Sequence, residues 1–290
     1  TDMSFMFANC ISLEFLDTSN FDVQEVTTME SMFENCNSIS SLILKNYITK
    51  NTENMKALFR NCSTLNMLDI SKFDTGKVTT MESMFENCYS LNKIDLTNFN
   101  TIRVTNMRSM FKLCNSTTSL IISSFKTQNV KDMAYMFDTC KNLSKLDLSH
   151  FNTGKVENMK YMFCNCHSLK SLNIIKFNTE NVKYMDSMFA YCHSLEIINL
   201  SFFKTKSVEN MRNMFKSCNS TKSLDISTFN TENVKNMGYM FCQCKQLPKL
   251  DLRHFRTSRV TDMDNMFSSC GKLTLLNVSS FDTSNVVNMN

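Results

Sequence analysis

Apolar and polar positions follow two short patterns that alternate along the chain. Residues 94–96, 146–148 and 250–252 read apolar-polar-apolar. This alternation predicts a short strand with one face buried. Between successive strands, apolar residues occur at i, i+3, i+4 and i+7, as at Met81, Met84, Phe85 and Cys88. That spacing predicts one face of a two-turn helix.

The segment from Val78 to Met81, directly before the predicted helix, allows two interpretations. It could extend the helix backward with Thr75 as the N-cap, or it could form a second short strand. We favour the strand.

Both patterns recur with a period of 26 residues, and the cysteines show it most clearly. A phenylalanine lies three residues before each of these cysteines, and a methionine lies one residue earlier, with Leu58 as the exception. The cysteines of the series are Cys10, Cys36, Cys62, Cys88, Cys114, Cys140, Cys166, Cys192, Cys218, Cys244 and Cys270. A fixed period of this length is the sequence signature of a solenoid or a propeller.

Stacking explains why such units need one another. A single unit cannot bury its apolar positions alone, but stacked units place equivalent side chains about 4.8 Å apart in continuous columns. The sequence therefore predicts an α/β repeat fold over residues 1–290, a single solenoid domain of eleven units, each with a short parallel strand and a short helix.

Composition excludes several functional classes. The chain has one proline and four glycines against 23 methionines, 24 phenylalanines and 13 cysteines, which argues against a glycine-rich phosphate loop. With 31 basic and 27 acidic residues the net charge is +4, too balanced to indicate a nucleic-acid partner. No apolar run approaches the roughly 20 residues that span a bilayer.

The repeat reads F-x-T-x-x-V-x-x-M-x-x-M-F-x-x-C-x-x-L-x-x-L-x-L, and residues 151–159 and 266–273 carry it clearly. This pattern resembles the BspA-like leucine-rich repeats of surface proteins, in the variant common in mycoplasma surface lipoproteins. The resemblance implies a right-handed, leucine-rich-repeat-like solenoid, a cell-surface or extracellular location, and binding or adhesion. The glycine usual in the loop before the cysteine is absent here.

The two ends of the chain share one repeat position, because Met3 and Met289 are separated by eleven periods. Neither end carries a recognisable capping repeat, which solenoids normally need for solubility. Two interpretations follow. The chain is a slice of a longer protein, which we favour, or its ends stack on other copies head to tail and build filaments.

The cysteines and histidines do not predict a catalytic or metal site. A cysteine fixed between a core phenylalanine and a core leucine is most simply a small buried hydrophobe, although stacked cysteines are close enough for some to pair. Catalysis needs different groups directed at one point, whereas a solenoid spreads its side chains along lines. We therefore predict a non-enzymatic protein with no cofactor and no metal.

The residue between the last two apolar residues of each predicted strand is often aspartate, and these positions form an acidic line. Neighbouring carboxylates on a sheet repel one another. Three explanations remain open for how this is relieved: hydrogen bonds to backbone groups of the next turn, ion pairs with nearby lysines or arginine, or bound calcium. The line contains Asp17, Ile43, Asp69, Asp95, Ile121, Asp147, Asn173, Asn199, Asp225, Asp251 and Asn277.

The position two residues earlier varies freely while the apolar columns do not, so this exposed sheet face is the candidate binding surface. The variable line contains Phe15, Ser41, Met67, Lys93, Ser119, Lys145, Ser171, Ile197, Ser223, Lys249 and Leu275. The candidate binding residues are Met67, Asp69, Lys93, Asp95, Lys145, Asp147, Lys249, Asp251 and Arg253.

Two of six glycosylation sequons, at Asn115 and Asn219, lie four repeats apart, and in both a threonine replaces the first leucine of the unit. They are candidate glycosylation sites in a secretory host, with chance occurrence as the alternative.

Together these observations predict a surface-exposed binding or adhesion module. The expected partner is a host or matrix protein, or a glycan, bound by the sheet face. The alternative is a structural protein that forms homo-oligomers by end-to-end stacking. Neither reading involves nucleic acid, and neither places a membrane span within this chain.

Overall fold

A computed structural model describes residues 1–44 and 46–290. The chain divides into two compact units, Thr1–Leu143 and Ser144–Asn290. In each unit every 26-residue repeat forms one turn of a parallel β-solenoid. The first unit holds β1 (Phe15–Asp17), β2 (Ser41–Ile43), β3 (Met67–Leu68), β4 (Lys93–Asp95) and β5 (Ser119–Ile121). The second holds β6 (Lys145–Asp147), β7 (Ser171–Asn173), β8 (Ile197–Asn199), β9 (Ser223–Asp225), β10 (Lys249–Asp251) and β11 (Leu275–Asn277).

The strands confirm the predicted apolar-polar alternation and its register. Paired strands are parallel, and each residue lies opposite the one 26 positions later, as Ile94 lies opposite Leu120. The middle residue faces the core, so Ile94 is buried while Lys93 and Asp95 on either side are exposed. A sheet with period-two side chains exposes one face and buries the other, which places the variable line on the surface.

Hydrogen bonding between strands is interrupted at intervals. In the first unit the sheets are β1-β2-β3 and β4-β5, and in the second they are β6-β7, β8-β9 and β10-β11. Within a pair, the residue after the first strand extends the ladder, as when Leu200 N–H donates to the Asp225 carbonyl at 2.8 Å. Between pairs, β3 is separated from β4, β7 from β8 and β9 from β10.

A second ladder runs beside the segment that the sequence left ambiguous. Thr80 forms parallel bridges with Asn54 on one side and Asn106 on the other. Residues 78–81 therefore extend no helix, and the second strand favoured there is reduced to one bridging residue per turn.

The prediction of a short helix in each repeat was wrong: the part of the chain that the structure describes contains none. In residues 81–88, Ser83 and Asn87 have φ values of 54° and 62°, on the opposite side of the Ramachandran map from a right-handed helix. Some amides close tight turns, as Met84 N–H donates to the Met81 carbonyl at 3.2 Å. Others reach the next repeat, as Phe85 N–H donates to the Met110 carbonyl at 2.9 Å.

The spacing correctly predicted that these apolar side chains share one side, but the predicted helical backbone was wrong. Consecutive tight turns also bring residues i, i+3, i+4 and i+7 to one side, and they leave alternate amides free to bond the neighbouring repeat. A helix would use those amides within its own turn. The stacked turns are therefore preferred because they join one repeat to the next through the backbone.

The position directly before each cysteine, where this chain has no glycine, lies in the same turns. That position has a positive φ in every repeat, a conformation that asparagine tolerates better than most residues. Where asparagine fills it in successive turns, the side chains form a ladder: Asn35 Nδ2 donates to Asn9 Oδ1 at 2.7 Å, Asn61 Nδ2 donates to Asn35 Oδ1 at 2.5 Å, and Asn87 Nδ2 donates to Asn61 Oδ1.

Aromatic columns form the centre of each unit. The Phe85 ring stacks on Phe59 and Phe111 with centroids 5.7 and 5.8 Å apart, and all three side chains are fully buried. In the second unit Phe189 and Phe215 stack in the same way at 5.8 Å. Identical side chains therefore meet in columns within each unit, as the 26-residue period predicted.

The cysteines are free, and those from Cys36 to Cys244 are buried. Nine thiols of the 26-residue series also donate a hydrogen bond that the sequence did not predict. Cys88 Sγ donates to the Phe59 carbonyl at 3.1 Å, and Cys218 Sγ donates to the Phe189 carbonyl at 3.2 Å. Because a cysteine fits the column and satisfies a carbonyl of the preceding turn, it is more than a small hydrophobe at this position.

Candidate functional site

The variable line lies on the exposed sheet face, with one side chain per turn. Four apolar members of this line are strongly exposed. Their exposed fractions are 56% for Phe15, 75% for Met67, 70% for Ile197 and 62% for Leu275.

The acidic line is stabilised mainly by local turns. Asp69 Oδ1 accepts the Ser71 N–H at 3.0 Å, and Asp147 Oδ1 accepts the Ser149 N–H at 2.9 Å. These are Asx turns, in which a side chain bonds its own backbone two residues on. The backbone explanation was correct in kind, but the partner lies in the same turn and not in the next. The backbone N–H of Ser71 lowers the pKa of Asp69, and the backbone N–H of Ser149 lowers the pKa of Asp147.

Ion pairs supplement the Asx turns at two places. Lys93 Nζ lies 3.3 Å from Asp95 Oδ2 in the first unit. In the second unit Arg253 binds both carboxylate oxygens of Asp251, with contacts of 2.6 to 3.0 Å. The Arg253 guanidinium and its backbone N–H lower the pKa of Asp251.

The calcium explanation finds no cluster to support it. Within residues 1–44 and 46–290, no group of three or more histidine, cysteine, aspartate or glutamate side chains is placed to hold a metal ion. Consecutive carboxylates instead use an oxygen in their own Asx turns.

The candidate binding residues occupy separate parts of the face. Met67, Asp69, Lys93 and Asp95 lie on or beside β3 and β4 of the first unit. In the second unit Lys145 and Asp147 belong to β6, four turns from the group on β10 made of Lys249, Asp251 and the adjacent Arg253. Within each unit these residues form local clusters on individual strands or neighbouring strands.

One cluster lines a distinct cavity. A space of about 410 Å³ lies between β9 and β10. Leu224 and Leu250 form its apolar part, while Lys249, Asp225 and Asp251 contribute charge. Sequence reasoning named Lys249 and Asp251 but missed the β9 side.

A signal for the interrupted sheet was present in the sequence. From Leu44 onward, one position at the end of the strand segment alternates between leucine and a β-branched residue, so its period is 52 residues; the first repeat has Thr18 there. From β4 onward, leucine accompanies the first strand of a pair and isoleucine or valine accompanies the second. The alternating residues are Leu44, Ile70, Leu96, Ile122, Leu148, Ile174, Leu200, Ile226, Leu252 and Val278.

The two candidate glycosylation residues are half-buried in turns. The side-chain oxygens of Asn115 and Asn219 are buried without a hydrogen-bond partner among the described residues. Asn219 Nδ2, the atom a glycan would modify, lies 3.0 Å from His193 Nδ1. Glycosylation at both positions stays a prediction.

Side chains that would be interior in a stack are exposed near both ends. Phe5 and Met6 are 58% and 52% exposed, and Met266, Phe281 and Met289 line an open cavity of about 620 Å³. End-to-end assembly stays a prediction. Over the described ranges, no helix combines the length and hydropathy needed to cross a bilayer.

Comparison with solved structures identifies the fold. A leucine-rich repeat protein from Bacteroides ovatus aligns with a TM-score of 0.50 and 16% identity, over 99% of this chain and 77% of that one. A leucine rich cell surface protein from Faecalibacterium prausnitzii aligns with a TM-score of 0.44 and 16% identity, over 89% and 78%. A leucine-rich repeat protein from Eubacterium ventriosum aligns with a TM-score of 0.38 and 15% identity, over 94% and 85%.

Sequence comparison gives the family. No curated protein matches the chain. A family described as Mycoplasma protein of unknown function, DUF285, matches residues 1–118, 92–196 and 183–290, and no catalytic activity is part of that description. The repeat motif, the parallel solenoid turns and this match over the whole chain agree, and the chain belongs to that family of mycoplasma repeat proteins, with the BspA-type leucine-rich repeat fold.

Proposed function

We propose that this chain is a non-enzymatic, surface-exposed module that binds a protein partner through its sheet face. The observation that carries the proposal is the contrast between two sets of positions on the same turns. The core columns keep one residue type from repeat to repeat, while the exposed line changes among aromatic, aliphatic, basic and small side chains.

Exposure of the variable line supports a protein as the partner. Met67 and Ile197 expose most of their surface, and each has an exposed charged residue next to it in the pattern: Lys93 at the next position of the variable line and Glu196 directly before Ile197. Exposed apolar side chains bordered by charge are typical of protein–protein contact surfaces, which have an apolar centre and a polar rim. A carbohydrate site would need a denser set of hydrogen-bonding groups directed at one point.

An extracellular position agrees with this use. The Faecalibacterium protein with a similar fold is described as a cell surface protein. A surface module of this kind would contact a host or matrix protein.

Site-specific photo-crosslinking tests the proposal. A benzophenone amino acid is placed at Met67 or Ile197 on the face, and at Thr79, which is exposed on a different part of the turn, as the control. Crosslinking to extracellular host proteins is followed by identification and by direct binding to the purified partner. Met67→Lys and Ile197→Lys should weaken that binding at least tenfold. Equal crosslinking from position 79, or unchanged binding by both variants, would contradict the proposal.

A further inference from the structure

The strands β9 and β10 are neighbours in sequence order but belong to different sheets. No backbone hydrogen bond joins them among the described residues. Most of their Cα–Cα separations exceed 8 Å, whereas paired strands lie about 4.8 Å apart. The two strands are therefore further apart than paired strands, and an inserted strand, which needs roughly 9.6 Å between its neighbours, would widen the opening.

The backbone edges on both sides of the opening face each other without a partner strand. Such edges are templates for an added strand, because their N–H and C=O groups can bond an extended peptide. On their other sides β9 bonds β8 and β10 bonds β11, both in parallel register. A strand placed between them would join two two-stranded sheets into one of five.

The opening reaches the apolar interior. Leu224, the inward-facing residue of β9, is partly exposed, while Leu250 on the other side is buried. Both line the cavity of about 410 Å³, together with buried Leu247. An inward-facing aliphatic side chain of an inserted strand would fill this space and cover Leu224.

The charges at the rim differ between its two ends. At the start of the strands, Lys249 is exposed and forms no ion pair with the described residues, whereas Lys222 is paired with Glu196 at 2.9 Å. At the far end, Asp225 accepts hydrogen bonds from Ser227 and has no basic partner within the described chain. The opening closes there, where His254 Nε2 lies 3.0 Å from the Ile226 carbonyl oxygen.

We propose that the opening between β9 and β10 binds an extended segment of a partner protein as an inserted parallel strand. The bound segment has the pattern acidic-apolar-basic. Its acidic side chain faces Lys249, its apolar side chain enters the cavity beside Leu224 and Leu250, and its basic side chain faces Asp225. This inference rests on the proposed function of the sheet face and specifies how one part of that face recognises its partner.

Fluorescence anisotropy with a labelled peptide tests the insertion. The probe is Gly-Ser-Thr-Glu-Leu-Lys-Thr-Ser-Gly, added to the full 290-residue chain. Matched control peptides carry Lys-Leu-Glu or Glu-Pro-Lys in the centre. The first control reverses the charges, and the second removes a backbone donor and the inward aliphatic group. We expect the probe to bind at least tenfold more tightly than either control. Equal binding of the proline peptide would overturn the proposal.

A charge exchange locates the binding site. Lys249→Glu should weaken the probe about tenfold, and a Lys-Leu-Lys peptide should recover binding to this variant. Lys141→Glu is the control, since Lys141 is exposed, makes the same change of charge and lies outside the strands of the sheet face. Equal losses in the two variants would overturn the placement.

Hydrogen exchange separates insertion from adhesion to the surface. Bound probe should slow amide exchange at least tenfold in residues 222–227 and 248–252, while residues 144–148 stay unchanged. Binding without this protection would overturn insertion. The crosslinking test uses Met67 and Ile197 and does not depend on the opening. If the peptide experiments fail while crosslinking succeeds, only the inserted strand is excluded. If crosslinking fails, the sheet face itself is excluded as the binding surface.

Discussion

Leu113 occupies the repeat position of Asn87 one turn further along the chain, and the ladder of side-chain amides ends between these two residues. The Asn87 side-chain oxygen is consequently buried with no hydrogen-bond partner among the described residues. Leu113 also has a φ of 62°, a conformation that costs a leucine roughly 1 kcal/mol or more. One residue therefore interrupts a polar column and holds a strained backbone at the same time.

Replacing Leu113 with asparagine should stabilise the chain by about 1–2 kcal/mol. The new amide can donate to Asn87, and a satisfied buried acceptor contributes about 1 kcal/mol, while asparagine tolerates the positive φ. The measurement is the urea midpoint. Leu113→Ala keeps the strained conformation and supplies no donor, so it should not stabilise. A gain in alanine as large as in asparagine would contradict the ladder explanation.

Truncating a stacked ring tests the core columns. Phe85→Ala should destabilise the chain by about 3–5 kcal/mol, because the ring is fully buried between Phe59 and Phe111 and little can collapse into the cavity. Lys145→Ala on the exposed face should change stability by less than about 0.5 kcal/mol. Thermal unfolding measures the stability lost in each variant. Similar losses would show that the buried and exposed positions are wrongly assigned.

The buried threonines connect one turn to the next through two hydrogen bonds. Thr205 Oγ1 donates to the Asn230 carbonyl and accepts the Asn230 N–H, both at 2.8 Å. Thr205→Val keeps the shape but leaves both backbone groups unsatisfied, so we expect a loss of about 2–3 kcal/mol in the free energy of unfolding. Thr283→Val changes the same repeat position where the side chain is exposed, and it should cost less than about 0.5 kcal/mol. The result would contradict this role if the two losses were equal.

The columns and strands were predictable because, in a stack, each side chain packs on the equivalent side chain of the neighbouring repeat. Phe85, Met81 and Cys88 recur because each packs on an identical neighbour, so periodicity alone identified them as interior. The turn backbone was not predictable in this way. The spacing from Met81 to Cys88 satisfies both a helix and consecutive tight turns, and Ser83 and Asn87 signal a positive φ only weakly.

The binding face shows a similar division. The placement of the proposed binding face rests on variation along the line that contains Lys93 and Lys249, which the core positions lack. The opening beside Lys249 did not follow from the 26-residue period, because it depends on a difference between adjacent repeats. The Leu252 and Ile226 alternation, with twice that period, was the available signal.

The buried thiols predict a loss of stability at high pH. Burial raises the pKa of Cys36 to about 11, and of Cys140 and Cys218 to about 12, from an ordinary value of 9.0. A raised pKa means that the folded chain retains protons that the unfolded chain releases. The stabilising contribution is therefore complete below about pH 9 and is lost as the pH rises from 9 toward 12.

Urea unfolding at pH 7, 9, 10 and 11 under reducing conditions measures this loss. Between pH 9 and 11 each such thiol should remove about 1 kcal/mol per pH unit, since one additional proton is released on unfolding. Lysines and tyrosines also titrate in this range, so the informative quantity is the difference from the variant Cys36→Ala/Cys140→Ala/Cys218→Ala. In that variant, unfolding should release about three fewer protons, so its unfolding free energy should fall less steeply with pH. An identical pH slope would show that these thiols ionise as readily in the folded chain as in the unfolded one.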